Sequence, residues 1–589
     1  MRWRTRTVLN DFFFVEVAVG AERFVGHFFA INSNLFTVKD ECSVDFSSIE
    51  HRFAPTATST KKKSFSKVRV RYRNANLWIG DDSNPRLQSF DVADGVLAPT
   101  DEVSAVDLTV DLAGAFVMPA FRDGHCHPLF AGREHVGPDV TNARSVSEIQ
   151  QIITGYAASH PEVSWIDGAA YDRSIPARFH RAELDDAISD LPVVLHGADH
   201  HTLWVNTRAL ELCGLLETIP TLSVGSVEVD AEGVPTGILR EWEAMQLVLS
   251  QIPALTIAAE LDCLDWAQSE LLATGVVEVQ DAWIDRGMTE IYLESARQDR
   301  LRVRTNLAFR ADPATWEADF EYFDHMRDVV TALNHPNLKC NAIKFFVDGV
   351  LGSSTASLLE PYVSGPSIHQ HGEQVWPLAE LLRAASRANE LGYQLHLHAI
   401  GDAAVRTALD VIENVKPSIQ AVIAHTELVS DEDVSRFKTL DVTANFEPLW
   451  AREDGQLLSC VPQVGRSRID KMYRMRDLVD AGTRISFGSD WPVSSPNALQ
   501  GLATAVTRSL PGKAGWGLNQ ALTTREALQA YTHGAAAQMS NSKSDGLLRE
   551  GELAEFVVLS DNPLSCSNQA LHGLKVLAVN LPSEPLLQF

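Results

Sequence analysis

Eight short apolar runs recur between residues 116 and 488, and most are separated by stretches with helical periodicity. They lie at 116–121, 276–280, 303–309, 342–347, 394–399, 421–425, 442–446 and 485–488. Near-continuous apolar runs suit strands covered on both faces, as in parallel sheets. Helical patterns at 378–389 and 403–414 fall between them. Eight such units point to a (β/α)₈ barrel, which takes ~250 residues. The first gap is too long for a loop, so an inserted subdomain is expected at about residues 135–270. Its own helices are expected at 145–157 and 181–189, with a strand at 192–196. Thr523 and Glu526 fit a capping box that opens a last helix.

The two flanks are patterned differently. Period-two alternation at 68–72, 76–79, 89–92 and 106–112 returns at 552–560 and 574–579. Neither flank alone has enough strands to bury a face, so they are expected to form one composite β-sandwich. That division gives 66–115 plus 545–589 to the sandwich and 116–544 to the barrel. Residues 1–65 read as a poorly ordered extension. Their basic start resembles a signal peptide, but Asp11 and Glu16 interrupt the apolar segment, and Lys61, Lys62 and Lys63 mark a linker.

The net charge of −27 on 589 residues argues against nucleic acid as a partner, because a phosphate backbone calls for a basic footprint. No run approaches the ~18 apolar residues of a membrane span. Seven scattered cysteines without CxxC spacing fit a reducing compartment, so a cytoplasmic location is expected. Homo-oligomerisation is left open.

Active sites of such barrels sit at the C-terminal strand ends, and this chain places ligand-type residues there. His125 and His127 follow the first run, two apart, on one strand face. Lys344 lies inside the apolar fourth run, where a charge is costly unless neutralised. His396 and His398 end the fifth run, His425 the sixth, and Asp490 follows the eighth. Imidazole and carboxylate are donors that suit Zn²⁺ and leave a position open for water.

These segments resemble the amidohydrolase superfamily, and within it the N-substituted formamide deformylase-like branch, amidohydrolase family 3. The resemblance spans about residues 66–575. It is carried by Lys344-Phe345-Phe346-Val347-Asp348-Gly349, His398-Ala399-Ile400-Gly401-Asp402 and Phe487-Gly488-Ser489-Asp490-Trp491-Pro492. Asp199-His200-His201-Thr202-Leu203-Trp204 and Pro235-Thr236-Gly237-Ile238-Leu239-Arg240-Glu241 carry it in the insertion. The resemblance implies His125, His127, Lys344, His398, His425 and Asp490 as metal ligands, with Lys344 carboxylated between two ions. It selects His398 over His396, which strand geometry alone leaves equivalent. The chain departs from the family at Ala120, where Gly is usual, and at Val422-Ile423-Ala424-His425, where Arg-Ile-Glu-His is usual.

The implied reaction is hydrolysis of a non-peptide C–N bond, an amide or formamide of a small molecule, by a metal-activated hydroxide. Two Zn²⁺ are expected, other divalent metals being open. Asp490 is the expected proton carrier, and His201 would contact oxyanion or substrate. Trp450, Trp491 and Asp348 are expected to line the pocket. Heterocycle deamination is the first alternative, disfavoured because that subtype lacks the strand-four lysine and carries an extra Glu near the strand-five His. A non-catalytic scaffold is the second, disfavoured because all six ligand positions are kept.

Overall fold

The computed structural model describes residues 13–19, 22–28, 68–100, 105–222, 225–364, 370–539, 545–584 and 586–588. Most of the 1–65 extension lies outside them. Within it, Phe13–Val19 and Glu22–Phe28 pair as an antiparallel ribbon.

The barrel strands are β1 (Phe121–Cys126), β2 (Val276–Ile284), β3 (Arg304–Arg310), β4 (Leu338–Phe346), β5 (Gln394–Ala399), β6 (Val422–His425), β7 (Thr443–Phe446) and β8 (Arg484–Phe487). Each pairs in parallel with its sequence neighbour. The helices cover the outside with their apolar stripe. Leu378–Glu390 buries Leu381, Ala384, Ala385 and Ala388, the spacing of one helical face.

β8 meets β1 through backbone bonds just past the strand ends. Asp490 N–H donates to His125 O (2.7 Å), and His127 N–H donates to Trp491 O (2.7 Å). The buried Asp123 carboxylate accepts from the N–H groups of His125 and Ser489, both at 3.0 Å, and from the Ser489 hydroxyl. Gly488 permits the approach. A Cβ there would lie 2.8 Å from His125 N and 2.9 Å from His125 O.

The run at 116–121 is two strands rather than one. Phe116–Pro119 joins a second sheet, and the barrel starts only at Phe121. The chain changes sheets at Ala120, whose N–H donates to Glu555 O while that of Phe121 donates to Gly275 O. β1 itself is polar but wholly buried, so apolar content placed the strand too early. Arg122 is accommodated by an ion cluster at the lower end of the barrel. It meets Glu278 (2.9 Å) and Glu555 (3.1 Å), and Arg304 closes the ring on the same two carboxylates.

The second sheet unites both flanks. Its strand order is Leu587–Gln588, Val576–Asn580, Phe556–Leu559, Phe116–Pro119, Arg69–Leu77, Arg86–Ala93 and Val96–Ala98, with Leu108–Asp111 beside Arg69–Leu77. It curls until Val96 bridges Leu553. Tyr72, Phe90 and Phe556 form its aromatic centre, with ring centroids 5.0 to 5.3 Å apart.

Between β1 and β2 lies a five-stranded sheet, ordered Ser226–Val229, Pro235–Arg240, Thr202–Val205, Val193–Gly197 and Ile166–Tyr171. Helix Ile257–Ala273, which follows it, packs on helix Pro128–Val136 of the barrel wall. Gly132 makes that crossing close, since a Cβ there would lie 2.3 Å from Cys263 O.

The closure generates a prediction. Gly488→Ala should force β8 off β1, destabilise the fold by about 1–3 kcal/mol as overpacking does, and impair the metal retention proposed below. Thermal unfolding and metal content of the purified variant would check both.

Candidate metal centre

The upper ends of the barrel strands bring the expected residues together. The Asp490 carboxylate lies 2.9 Å from His127 Nε2 and 3.3 Å from His125 Nε2. One donor atom from each of His125, His127 and Asp490 falls within 4.8 Å of the other two. Lys344 Nζ is 3.2 Å from His125 Nε2. The His425 ring centroid is 4.7 Å from His125 and 4.4 Å from His398. All six residues are buried. His425 (φ +72°) and Asp490 (φ +53°) hold left-handed backbone conformations that non-glycine residues rarely adopt, a strain that tends to collect at functional sites.

Residues around this set fix which imidazole nitrogen is left for a ligand. His425 Nδ1 is 2.9 Å from buried Glu447, leaving Nε2. His398 Nε2 is 3.2 Å from Gly349 O, leaving Nδ1. His125 Nδ1 is 3.0 Å from His396 Nε2, leaving Nε2. Such partners orient metal-binding histidines. His396 therefore lies beneath His125, opposite Lys344 in the β4–β5 register.

The electrostatics suit cation binding. Burial first, and Lys344 second, keep His125 and His396 well below the usual imidazole range. Burial also drives His398 far down, and takes His425 to about 3. These rings are neutral, as a ligand must be. Burial works to raise the Asp490 carboxyl, but hydrogen bonds with His125 and His127 outweigh it and hold the group well below its ordinary value. Burial likewise opposes protonation of His127, yet Asp281 and Asp490 lift it to about 9. A cation between these carboxylates and imidazoles would take the place of that proton. Lys344 has no exposed surface and no ion pair among the described residues, and burial lowers its amine to about 7. His127 Nδ1 is buried without a hydrogen bond among the described residues, 3.7 Å from Asp281. Convergent donors, neutral rings and an unsatisfied nitrogen fit a divalent metal.

The centre opens into a cavity of about 1270 Å³. Trp242, Trp283, Phe346 and Trp450 line it, Trp450 stacking on His425 at 5.6 Å. His201 enters from the inserted sheet, 6.1 Å from the His398 ring, with Nδ1 2.7 Å from Glu241. Burial lowers its proton affinity, but the Glu241 charge prevails and raises it.

Two expectations about the lining fail. Trp491 packs against Trp266, 5.7 Å away, because the turn after Asp490 directs it to helix Ile257–Ala273. Asp348 is consumed by the N–H groups of Ser357, Ile400 and Gly401, tying the loops after β4 and β5 together. Sequence reading also passed over Glu447, Asp281 and Glu241. Glu447 directly follows β7 and Asp281 directly follows the apolar run at 276–280, so the strand-end rule applied to every strand would have marked the first two. Glu241 lies inside a motif already noted, without a role attached.

Residues 108–581 match the model of the amidohydrolase family. The "Putative amidohydrolase YtcJ" of Bacillus subtilis is 27% identical, covering 84% of this chain and 95% of its own. The "N-substituted formamide deformylase" of Arthrobacter pascens is 26% identical, covering 86% and 95%. The crystal structure of an uncharacterized metal-dependent hydrolase from Pyrococcus horikoshii superposes with a TM-score of 0.68 at 26% identity, covering 85% and 99%.

Lys344 yields a pH test. Its amine titrates near 10.5 in the unfolded chain and near 7 in the fold. The unfolded chain therefore binds more protons between those values, and this group's contribution to stability rises with pH across that window. In metal-stripped protein, Lys344→Met should raise stability at pH 7 by on the order of a few kcal/mol. The gain should shrink toward pH 10, as followed by thermal unfolding at both pH values.

Proposed function

The chain belongs to the amidohydrolase family, and from that premise we propose that it hydrolyses a non-peptide C–N bond, an amide or formamide, of a small molecule carrying an apolar substituent. The observation that carries this reading is the convergence of His125, His127 and Asp490 above a buried Lys344, at the cavity floor. His398 and His425 complete the donor set for two divalent ions, and Zn²⁺ suits nitrogen and oxygen donors. Bound there, such ions supply a water of lowered pKa and a Lewis acid for the scissile carbonyl.

The chain's own residues supply the rest. The neutral Lys344 amine attacks CO₂, forming an N–C bond and releasing a proton. The resulting carbamate is an anion that needs no separate counterion beside two cations. Asp490 accepts the proton of the attacking water at a carboxylate oxygen and passes it to the leaving amine. Glu241 favours the protonated form of His201 through its Nδ1 contact, and in that form Nε2–H is a donor toward the developing oxyanion. Trp242, Trp283 and Phe346 offer an apolar wall for the amide substituent and exclude water.

Two measurements test the reading. Purified enzyme would be loaded with Zn²⁺ and bicarbonate and screened on aryl and alkyl formamides and amides. Asp490→Asn should then lower kcat about 10²–10⁴-fold with unchanged circular dichroism; near-wild-type turnover would sink the proton-carrier role. With ¹³C-bicarbonate, a carbamate carbon resonance should appear in the wild type and be missing in Lys344→Ala. A wild-type spectrum without it would rule out the modification.

A further inference from the structure

A second cluster of donors stands at the cavity mouth, apart from the centre described above. Glu134, His196 and His200 each present one donor atom within 4.8 Å of the other two. Glu134 comes from the barrel helix Pro128–Val136, whereas His196 and the following turn come from the inserted sheet. His196 Nε2 is 3.1 Å from the Asp167 carboxylate, which leaves Nδ1. His200 Nδ1 is 3.1 Å from Glu134, and His200 Nε2 is buried with no hydrogen-bond partner among the described residues. An unpartnered buried nitrogen bears its desolvation cost with nothing in return, so an ordinary set of surface ion pairs does not account for it.

The backbone is arranged to form this cluster. His200 has φ +52°, a left-handed conformation that closes the turn, its N–H donating to Gly197 O at 2.9 Å. Gly137 ends the barrel helix against Asp167. A Cβ there would lie 1.7 Å from Asp167 O, so only glycine allows the two segments to meet.

We propose that Glu134, His196 and His200 form a further Zn²⁺-type site that clamps the inserted subdomain to the barrel at the cavity mouth. Two imidazoles and a carboxylate match the donor preference of zinc, with a fourth position for water. The carboxylate of Asp167 on His196 is the supporting contact that zinc-binding histidines commonly have. Zinc–ligand bonds of about 2.0–2.2 Å require the three donors to draw closer on binding. The clamp then tightens the turn that carries His201, the next residue.

The test counts ions by difference, so it holds whatever number the main centre retains. Metal-stripped protein would be reconstituted with Zn²⁺, gel-filtered and analysed by elemental mass spectrometry. Glu134→Gln and His200→Ala should each hold one ion fewer per chain than the wild type. Hydrogen exchange over residues 193–205 should be slower in the zinc-loaded wild type than in either variant. Should a variant fail to fold, anomalous scattering at the zinc edge from wild-type crystals decides. A peak between Glu134, His196 and His200 supports the clamp. Equal ion counts in folded variants, or no such peak, overturn it.

Discussion

The seam between β8 and β1 is the constraint on which the rest depends. Gly488 lies against the backbone of His125, and a side chain there has no room. Asp123 reaches across to Ser489, and the N–H of Asp490 is spent on the carbonyl of His125. These bonds close the barrel, and the same bonds set the Asp490 carboxylate against His125 and His127. Closure and site assembly are thus one event, although the residues are 363 positions apart.

The two ends of the barrel treat buried charge in opposite ways. At the lower end, Arg122 and Arg304 face Glu278 and Glu555, and each charge has its counterpart. That cluster also fastens the composite sheet, since Glu555 lies just before its strand Phe556–Leu559. At the upper end, Lys344, four neutral imidazoles and the strongly raised Glu447 leave charge and donor atoms unbalanced. Paired charge at one end and unsatisfied polarity at the other is the division expected of this architecture. The unbalanced end is where cations have something to gain.

The inserted sheet contributes what the barrel lacks. It supplies His201 to the cavity, with Glu241 behind it, and, one residue earlier, His200 to the mouth cluster. Its register, with Thr202 opposite Arg240, brings His201 beside Glu241 across two antiparallel strands. A loop could carry the same residues, but a paired sheet holds them with less freedom.

Much of this was legible in sequence. Buried parallel strands are written as apolar runs, so seven of the eight barrel strands could be placed within a few residues. Ligand-type residues at their ends marked His125, His127, the pair His396 and His398, His425 and Asp490, because that end of a parallel strand is where loops converge; Lys344 stood out as a charge inside an apolar run, and only the family resemblance chose His398 over His396. The first strand was misplaced, since β1 is buried yet polar and its cost is met by partners far away in sequence. Glu447 and Asp281 stand where the strand-end rule could have marked them, and Glu241 lies in a quoted motif, but which histidine each one touches is set by the fold. The sequence by itself determined the repeating βα pattern and the kinds of donor at strand ends, because both follow from local periodicity. Only the tertiary structure decided which nitrogen each histidine offers, that Trp491 turns away from the cavity, and that the insertion meets the barrel at Glu134. Those are contacts between distant segments, and local pattern holds no record of them.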